Sequence, residues 1–175
     1  MRTQLACALA LLAMTATNLI AADLKVGDNC PAFTMQGSDG KTYTLNDFKG
    51  SRAFVIAWFP KAFTGGCTTE CKSMRDSSNQ LKGLDVAYFT ASVDTPEKNK
   101  DFADSLSLNF PILSDPSKEA ATAMGVLGPK GFAQRWTFYI DKDGKIVDID
   151  KKVDTNKAAK GIATKLDGLG IPQKK

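Results

Sequence analysis

Ala53-Phe54-Val55-Ile56-Ala57-Trp58-Phe59-Pro60-Lys61-Ala62-Phe63-Thr64-Gly65-Gly66-Cys67 is the stretch that decides the fold of this chain. Its first seven residues are apolar without interruption. A strand with one wet face would alternate, so this run reads as a strand covered on both faces by helices. Pro60, which has no N–H to continue a ladder, ends it. Gly65-Gly66 then open a helix in which Cys67, Cys71, Met74, Ser78 and Leu81 recur at three- and four-residue steps. That stripe turns inward, Glu70, Lys72 and Arg75 lie mostly elsewhere, and the helix is expected to end near Gly83. Cys67 therefore sits at a strand-to-helix junction, where unpaired backbone N–H groups and the helix dipole favour a thiolate.

Upstream, Gly37-Ser38-Asp39-Gly40 separates Ala32–Met35 from Thr42–Leu45, the pattern of a hairpin. Downstream, Val86–Val93 reads as a second apolar strand. Thr95-Pro96-Glu97 reads as a helix entry followed by Phe102, Leu106 and Leu108, and Pro111-Ile112-Leu113 as a short strand. Ser117–Met124 forms a short helix before Gly125. Arg135–Ile140 pairs with Lys145–Ile149 across Asp143-Gly144, and Thr155–Leu166 is a final amphipathic helix closing at Gly168. Hairpin, then alternating strands and helices, then an antiparallel pair and a last helix describe an α/β protein. By pattern and analogy it is a thioredoxin-like fold: a central mixed sheet flanked by helices, with an N-terminal β-hairpin.

Residues 1–22 differ from the rest. Arg2 is their only charge, Leu5–Ala16 is apolar, and Ala21-Ala22 precede Asp23. This is the pattern of a secretory signal peptide cleaved near Ala22, which leaves residues 23–175 as one domain and places the protein in the periplasm or outside the cell. Thr15, Thr17 and Asn18 interrupt the apolar run, and no basic stop-transfer cluster follows, so no stable membrane association is expected. The 23 Lys and Arg against 19 Asp and Glu give a formal net charge of +4, one of which leaves with Arg2. Interspersed charge of that size argues against nucleic-acid binding, which needs a concentrated basic patch.

Of four cysteines, Cys7 lies in the leader, and Cys30, Cys67 and Cys71 remain. Three is not the count of a disulfide scaffold, so at least one thiol is free or redox-cycling. The chain has no histidine. That excludes a Cys-His dyad, a Ser-His-Asp triad and any histidine-ligated metal. It also weighs against copper delivery through the Cys-x-x-x-Cys of Cys67 and Cys71, which needs a distant histidine. A general disulfide reductase wants Cys-x-x-Cys, one residue shorter. A helix N-terminus contributes about 0.3–1 kcal/mol to a thiolate, roughly one unit of pKa at best, so a cation is needed as well.

Pro60-x-x-x-Thr64-x-x-Cys67 resembles the active-site signature of peroxiredoxins, and Phe59-Pro60-Lys61-Ala62 with Cys67-Thr68 resembles their bacterioferritin-comigratory, or Q-type, branch. The resemblance extends through Val26-Gly27-Asp28, Ser92-Val93-Asp94 and Arg135–Ile146. It implies a thiol peroxidase that needs no cofactor or metal. Cys67 would attack the peroxide and become a sulfenic acid, Arg135 would supply the cation, Thr64 would hydrogen-bond the peroxide oxygens, and Pro60 would shield the thiolate from bulk water. A peroxide substrate and a thioredoxin-like or other thiol reductant are the implied partners, and a monomer or weak dimer the implied state. The branch often places its resolving cysteine five residues after the first, where this chain has Lys72. Three routes stay open: Cys71 resolves, Cys30 resolves, or an external thiol does. Helical residues four apart have Cβ atoms about 5–6 Å apart, whereas a disulfide needs about 3.5–4.5 Å, so a Cys67–Cys71 bond requires the first helical turn to unwind.

Overall fold

A computed structural model describes residues 23–171; the signal-peptide assignment falls on residues 1–22, outside the described residues. Seven strands, β1 (Thr34–Gly37), β2 (Thr42–Thr44), β3 (Ala53–Trp58), β4 (Val86–Ser92), β5 (Ile112–Ser114), β6 (Thr137–Ile140) and β7 (Ile146–Asp150), form one mixed sheet in the order β2-β1-β5-β4-β3-β6-β7. β3 pairs parallel to β4, and β4 to β5, while the hairpins β1–β2 and β6–β7 extend the sheet antiparallel at its two edges. Among the described residues five α-helices cover it: α1 (Gly65–Asp76), α2 (Asn79–Lys82), α3 (Pro96–Ser105), α4 (Glu119–Ala123) and α5 (Ala158–Gly168).

The apolar run of β3 is buried at every position, as a central strand between two helical layers demands. Its residues sort by parity. Phe54, Ile56 and Trp58 enter one core with Phe48, Phe89, Phe138 and Met124, whereas Ala53, Val55 and Ala57 enter another with Met74, Leu81, Ile162 and Leu166 from α1, α2 and α5. A third, smaller cluster at the C-terminal end of β3 joins Phe59, Ala62, Cys67 and Cys71 to Phe102 and Leu106. Each fully buried large side chain contributes about 1.5–3 kcal/mol, so β3 anchors both layers and fixes where its last residues emerge.

Element ends shift by a few residues from the sequence reading at several places. β6 starts at Thr137 rather than Arg135, and the last helix runs Ala158–Gly168 after a 3-10 turn at Thr155–Lys157. Two of the shifts have a visible cause. The first hairpin strand begins two residues later than expected and includes Gly37, because Gln36 and Gly37 pair with Ser114 and Leu113 of β5. The long helix breaks after Asp76 rather than running to Gly83. Ser78 N–H reaches back only three residues to Arg75 O, and its buried hydroxyl accepts from Asn109 Nδ2 at 2.9 Å. That tightened turn satisfies the serine outside the helix, an alternative serine offers readily.

Candidate active site

The backbone brings Cys67 and Arg135 together from 68 residues apart in the sequence. β3 continues its ladder for one residue, Phe59 N–H donating to Ala91 O at 2.8 Å, and stops at half-buried Pro60. β6 runs antiparallel to β3 with Ala57 opposite Thr137, and Trp58 N–H donates to Trp136 O at 2.9 Å. Continuing that register sets Arg135 level with Phe59, at the strand end where α1 begins. Arg135 itself lies just outside β6, two residues before the strand.

Thr64 is the N-cap residue of α1 by position, with extended backbone, yet its hydroxyl caps nothing in the helix. Thr64 Oγ1 donates instead to Lys61 O at 3.0 Å. The first helical bond is Thr68 N–H to Thr64 O at 2.9 Å, so the N–H groups of Gly65, Gly66 and Cys67 have no partner within the helix. Cys67 sits third in α1 and is 1% exposed. Arg135 Nη2 donates to Cys67 Sγ at 3.3 Å, and its other terminal nitrogen, Nη1, pairs with Glu70 Oε2. A guanidinium on the sulfur, at the first turn of a helix whose leading N–H groups have no helical partner, is an arrangement that stabilises negative charge on sulfur.

Glu70 was not expected here. Its carboxylate is fully buried on the inward stripe with Cys67, Cys71 and Met74, and Oε1 has no hydrogen-bond partner. Burial pushes its pKa from 4.5 up to about 7, against the opposing pull of Arg135. The signal was available in the spacing: a residue three after Cys67 and four before Met74 shares their face.

Cys71 is completely buried beside Cys67, against Phe102, Ala103, Leu106 and Ile112. Burial, with Glu70 and Cys67 adding to it, pushes its thiol up well beyond the ordinary cysteine range. Cys30 belongs to the opposite end of the sheet. Its N–H donates to Gly144 O at 2.8 Å in the β6–β7 turn, and it packs with Phe33, Phe54 and Ile146. From the level of Phe54 to that of Trp58 alone is about 13 Å at about 3.3 Å per residue, so the fold holds Cys30 away from Cys67. Burial raises the Cys30 thiol to about 12. All three thiols are free. A cleft of about 730 Å³ between β7 and α5, floored by Tyr139, includes neither Cys67 nor Arg135.

Residues 26–149 match the AhpC/TSA family. Peroxiredoxin Bcp of Escherichia coli (strain K12) is 40% identical over 130 residues, covering 70% of this chain and 83% of that protein. Peroxiredoxin Bcp of Bacillus subtilis (strain 168) is 34% identical over 137 residues, 74% and 87% of the two chains. Among solved structures, peroxidoxin BcpB of Mycobacterium tuberculosis aligns with a TM-score of 0.75 and 26% identity over 83% of this chain and 98% of its own. Xylella fastidiosa PrxQ aligns with a TM-score of 0.78 over 85% and 99%, and at 22% identity it speaks to the fold alone. The chain belongs to the AhpC/TSA family and is a peroxiredoxin-type thiol peroxidase with the thioredoxin-like fold of that family.

Proposed function

We propose that this peroxiredoxin reduces hydrogen peroxide and small organic hydroperoxides at Cys67, as an exported antioxidant enzyme. The observation that carries the reading is the Arg135 guanidinium, 3.3 Å from Cys67 Sγ at the first turn of a helix. The Cys67 thiolate attacks one oxygen of ROOH, the O–O bond breaks, and the departing oxygen takes a proton to leave as ROH. Sulfur is oxidised to Cys67–SOH. Arg135 and the N–H groups of Gly66 and Cys67 hold the charge that moves from sulfur to the leaving oxygen. Thr64, whose hydroxyl hydrogen is directed at Lys61 O, offers its lone pairs to the O–H of the peroxide. Pro60 limits water at the site.

Cys71 is the proposed resolving thiol. Its attack on Cys67–SOH forms the S–S bond and releases water, and a thioredoxin-like or other dithiol reduces the disulfide back to two thiols. Two fully buried residues on one helical face cannot bond in place, so α1 opens at its first turn, where a helix end comes apart cheaply. Export rests on the leader-like pattern of residues 1–22.

The test is peroxide consumption by purified residues 23–175 with dithiothreitol as reductant, for the unmodified protein and for Cys67→Ser. Turnover in the first and none in the second is expected. Equal turnover in both would remove Cys67 from the chemistry.

A further inference from the structure

We propose that Asp94 is a positioning residue for peroxide reduction, setting the orientation of the Thr64 hydroxyl through the peptide between Lys61 and Ala62. The inference rests on the peroxidase reading above. Asp94 follows β4, 27 residues beyond Cys67 in the chain, yet its Oδ2 accepts the Ala62 N–H at 2.8 Å. The carbonyl of that same peptide, Lys61 O, accepts the Thr64 hydroxyl at 3.0 Å. One peptide plane is thus held at both ends, its N–H by a carboxylate and its C=O by the active-site threonine. A carboxylate on the N–H polarises the peptide and strengthens the carbonyl as an acceptor. Rotating the plane would turn the carbonyl away and free the hydroxyl.

Asp94 is itself fixed. Lys98 Nζ lies 2.5 Å from Oδ1, and Ser92 Oγ is 3.2 Å from Oδ2 and also accepts the Asp94 N–H at 3.2 Å. Ser92 Oγ meets Asn99 Oδ1 at 3.0 Å, and Asn99 Nδ2 donates to Ser114 Oγ at 2.9 Å, so the buried polar network reaches from β4 through α3 to β5. The sheet therefore holds the loop. That hold is needed because the loop is not at its backbone minimum: Phe63, between Ala62 and Thr64, has φ of 64°, a conformation a bulky side chain rarely adopts. Its half-exposed ring leans on Phe102 at 5.0 Å between centroids. Among the described residues, Asp94 is the only side chain that hydrogen-bonds a backbone N–H between Pro60 and Thr64.

Losing a residue that only stabilised the fold would loosen the site and expose the buried Cys67 thiol, so its alkylation would change as well as its reaction with peroxide. A residue that aims Thr64 affects peroxide, which uses that hydroxyl, and spares a thiol reagent that does not. The experiment compares the second-order rates of reduced Asp94→Ala and unmodified protein with hydrogen peroxide and with iodoacetamide, at one pH. A misplacement of about 1 Å costs about 10²-fold, so a fall of about 10- to 100-fold with peroxide is expected, with iodoacetamide changed by less than about threefold. Asp94→Asn keeps an acceptor for the Ala62 N–H and is expected to recover to within about tenfold of the unmodified rate. A change with iodoacetamide as large as that with peroxide, or no loss with peroxide, overturns the proposal. Amide exchange in the unmodified protein tests it even if the alanine variant does not fold: Ala62 is expected to exchange at least about tenfold more slowly than the Lys61 and Phe63 amides, and equal rates overturn it. Absence of peroxide turnover in the unmodified protein would instead count against the peroxidase reading, a separate result.

Discussion

Replacing Glu70 by glutamine should change how the stability of this protein depends on pH, and the size follows from the site. Glu70 is fully buried, one of its oxygens pairs with Arg135 and the other has no partner. Loss of hydration dominates, and its pKa rises from 4.5 to about 7. A group whose folded pKa lies above its unfolded value binds more protons in the native state between the two. Its stabilising contribution is complete below pH 4.5 and is lost as pH rises through 7. At about 1.36 kcal/mol per unit, that shift corresponds to about 3 kcal/mol between pH 4 and pH 8. Glutamine keeps the shape and an oxygen for Arg135 but does not ionise. Urea unfolding under reducing conditions, followed by the fluorescence of Trp58 and Trp136, gives the stability of each protein across that range. The stability of Glu70→Gln relative to the unmodified protein should climb by about 3 kcal/mol from pH 4 to pH 8. A flat difference would refute the reasoning, because it would mean that Glu70 ionises alike folded and unfolded. The chemistry follows the same proton. While Glu70 is neutral, the Arg135 charge is left to the sulfur; once Glu70 ionises, the guanidinium is shared between them.

Removing the cation with Arg135→Met loses a charge-assisted donor at 3.3 Å from Cys67 Sγ, and stopped-flow rates with hydrogen peroxide should drop about 10²-fold, with Arg135→Lys failing to restore them fully. Gly66→Ala separates stability from rate: a Cβ there would stand 3.3 Å from Arg135 Nη2, so the melting temperature should rise with the better helix former while the peroxide rate falls several-fold. Cys71→Ser should leave a persistent sulfenic acid at Cys67, trapped by dimedone, whereas Cys30→Ser should still form the intramolecular disulfide; loss of that disulfide in Cys30→Ser instead would transfer the resolving role. Leu81→Ala, at a fully buried position between α2 and α5, should cost about 2–5 kcal/mol of unfolding free energy with the peroxide rate unchanged.

The sheet was legible because its signals are local. An unbroken apolar run at Ala53–Phe59, a proline stop and a Gly-Gly entry determine β3 and α1 without help from elsewhere. Helix and strand ends were less so, since the break at Ser77–Ser78 depends on Asn109, 31 residues away, and the position of the first hairpin depends on β5. Within the site, Cys67 stood out as a candidate at the strand-to-helix junction, although the junction alone falls short of making it a thiolate, and Arg135 came only through resemblance, because nothing in its own neighbourhood marks it. Its place follows from the antiparallel register of β6 on β3, a property of the assembled sheet. Glu70 was misassigned because a charged residue reads as solvated unless its partner is known, and the partner lies 65 residues on. Asp94 appeared only within a motif; its bond to Ala62 exists because parallel β3 and β4 end side by side.

Intact-mass analysis after one equivalent of hydrogen peroxide, with and without dimedone, tests most directly whether Cys67 beside Arg135 is the thiol that meets peroxide. The reduced protein should lose two hydrogens, and in Cys71→Ser it should instead carry one oxygen that dimedone captures at Cys67. Oxidation first at Cys30, or an unchanged mass while peroxide is consumed, would contradict it.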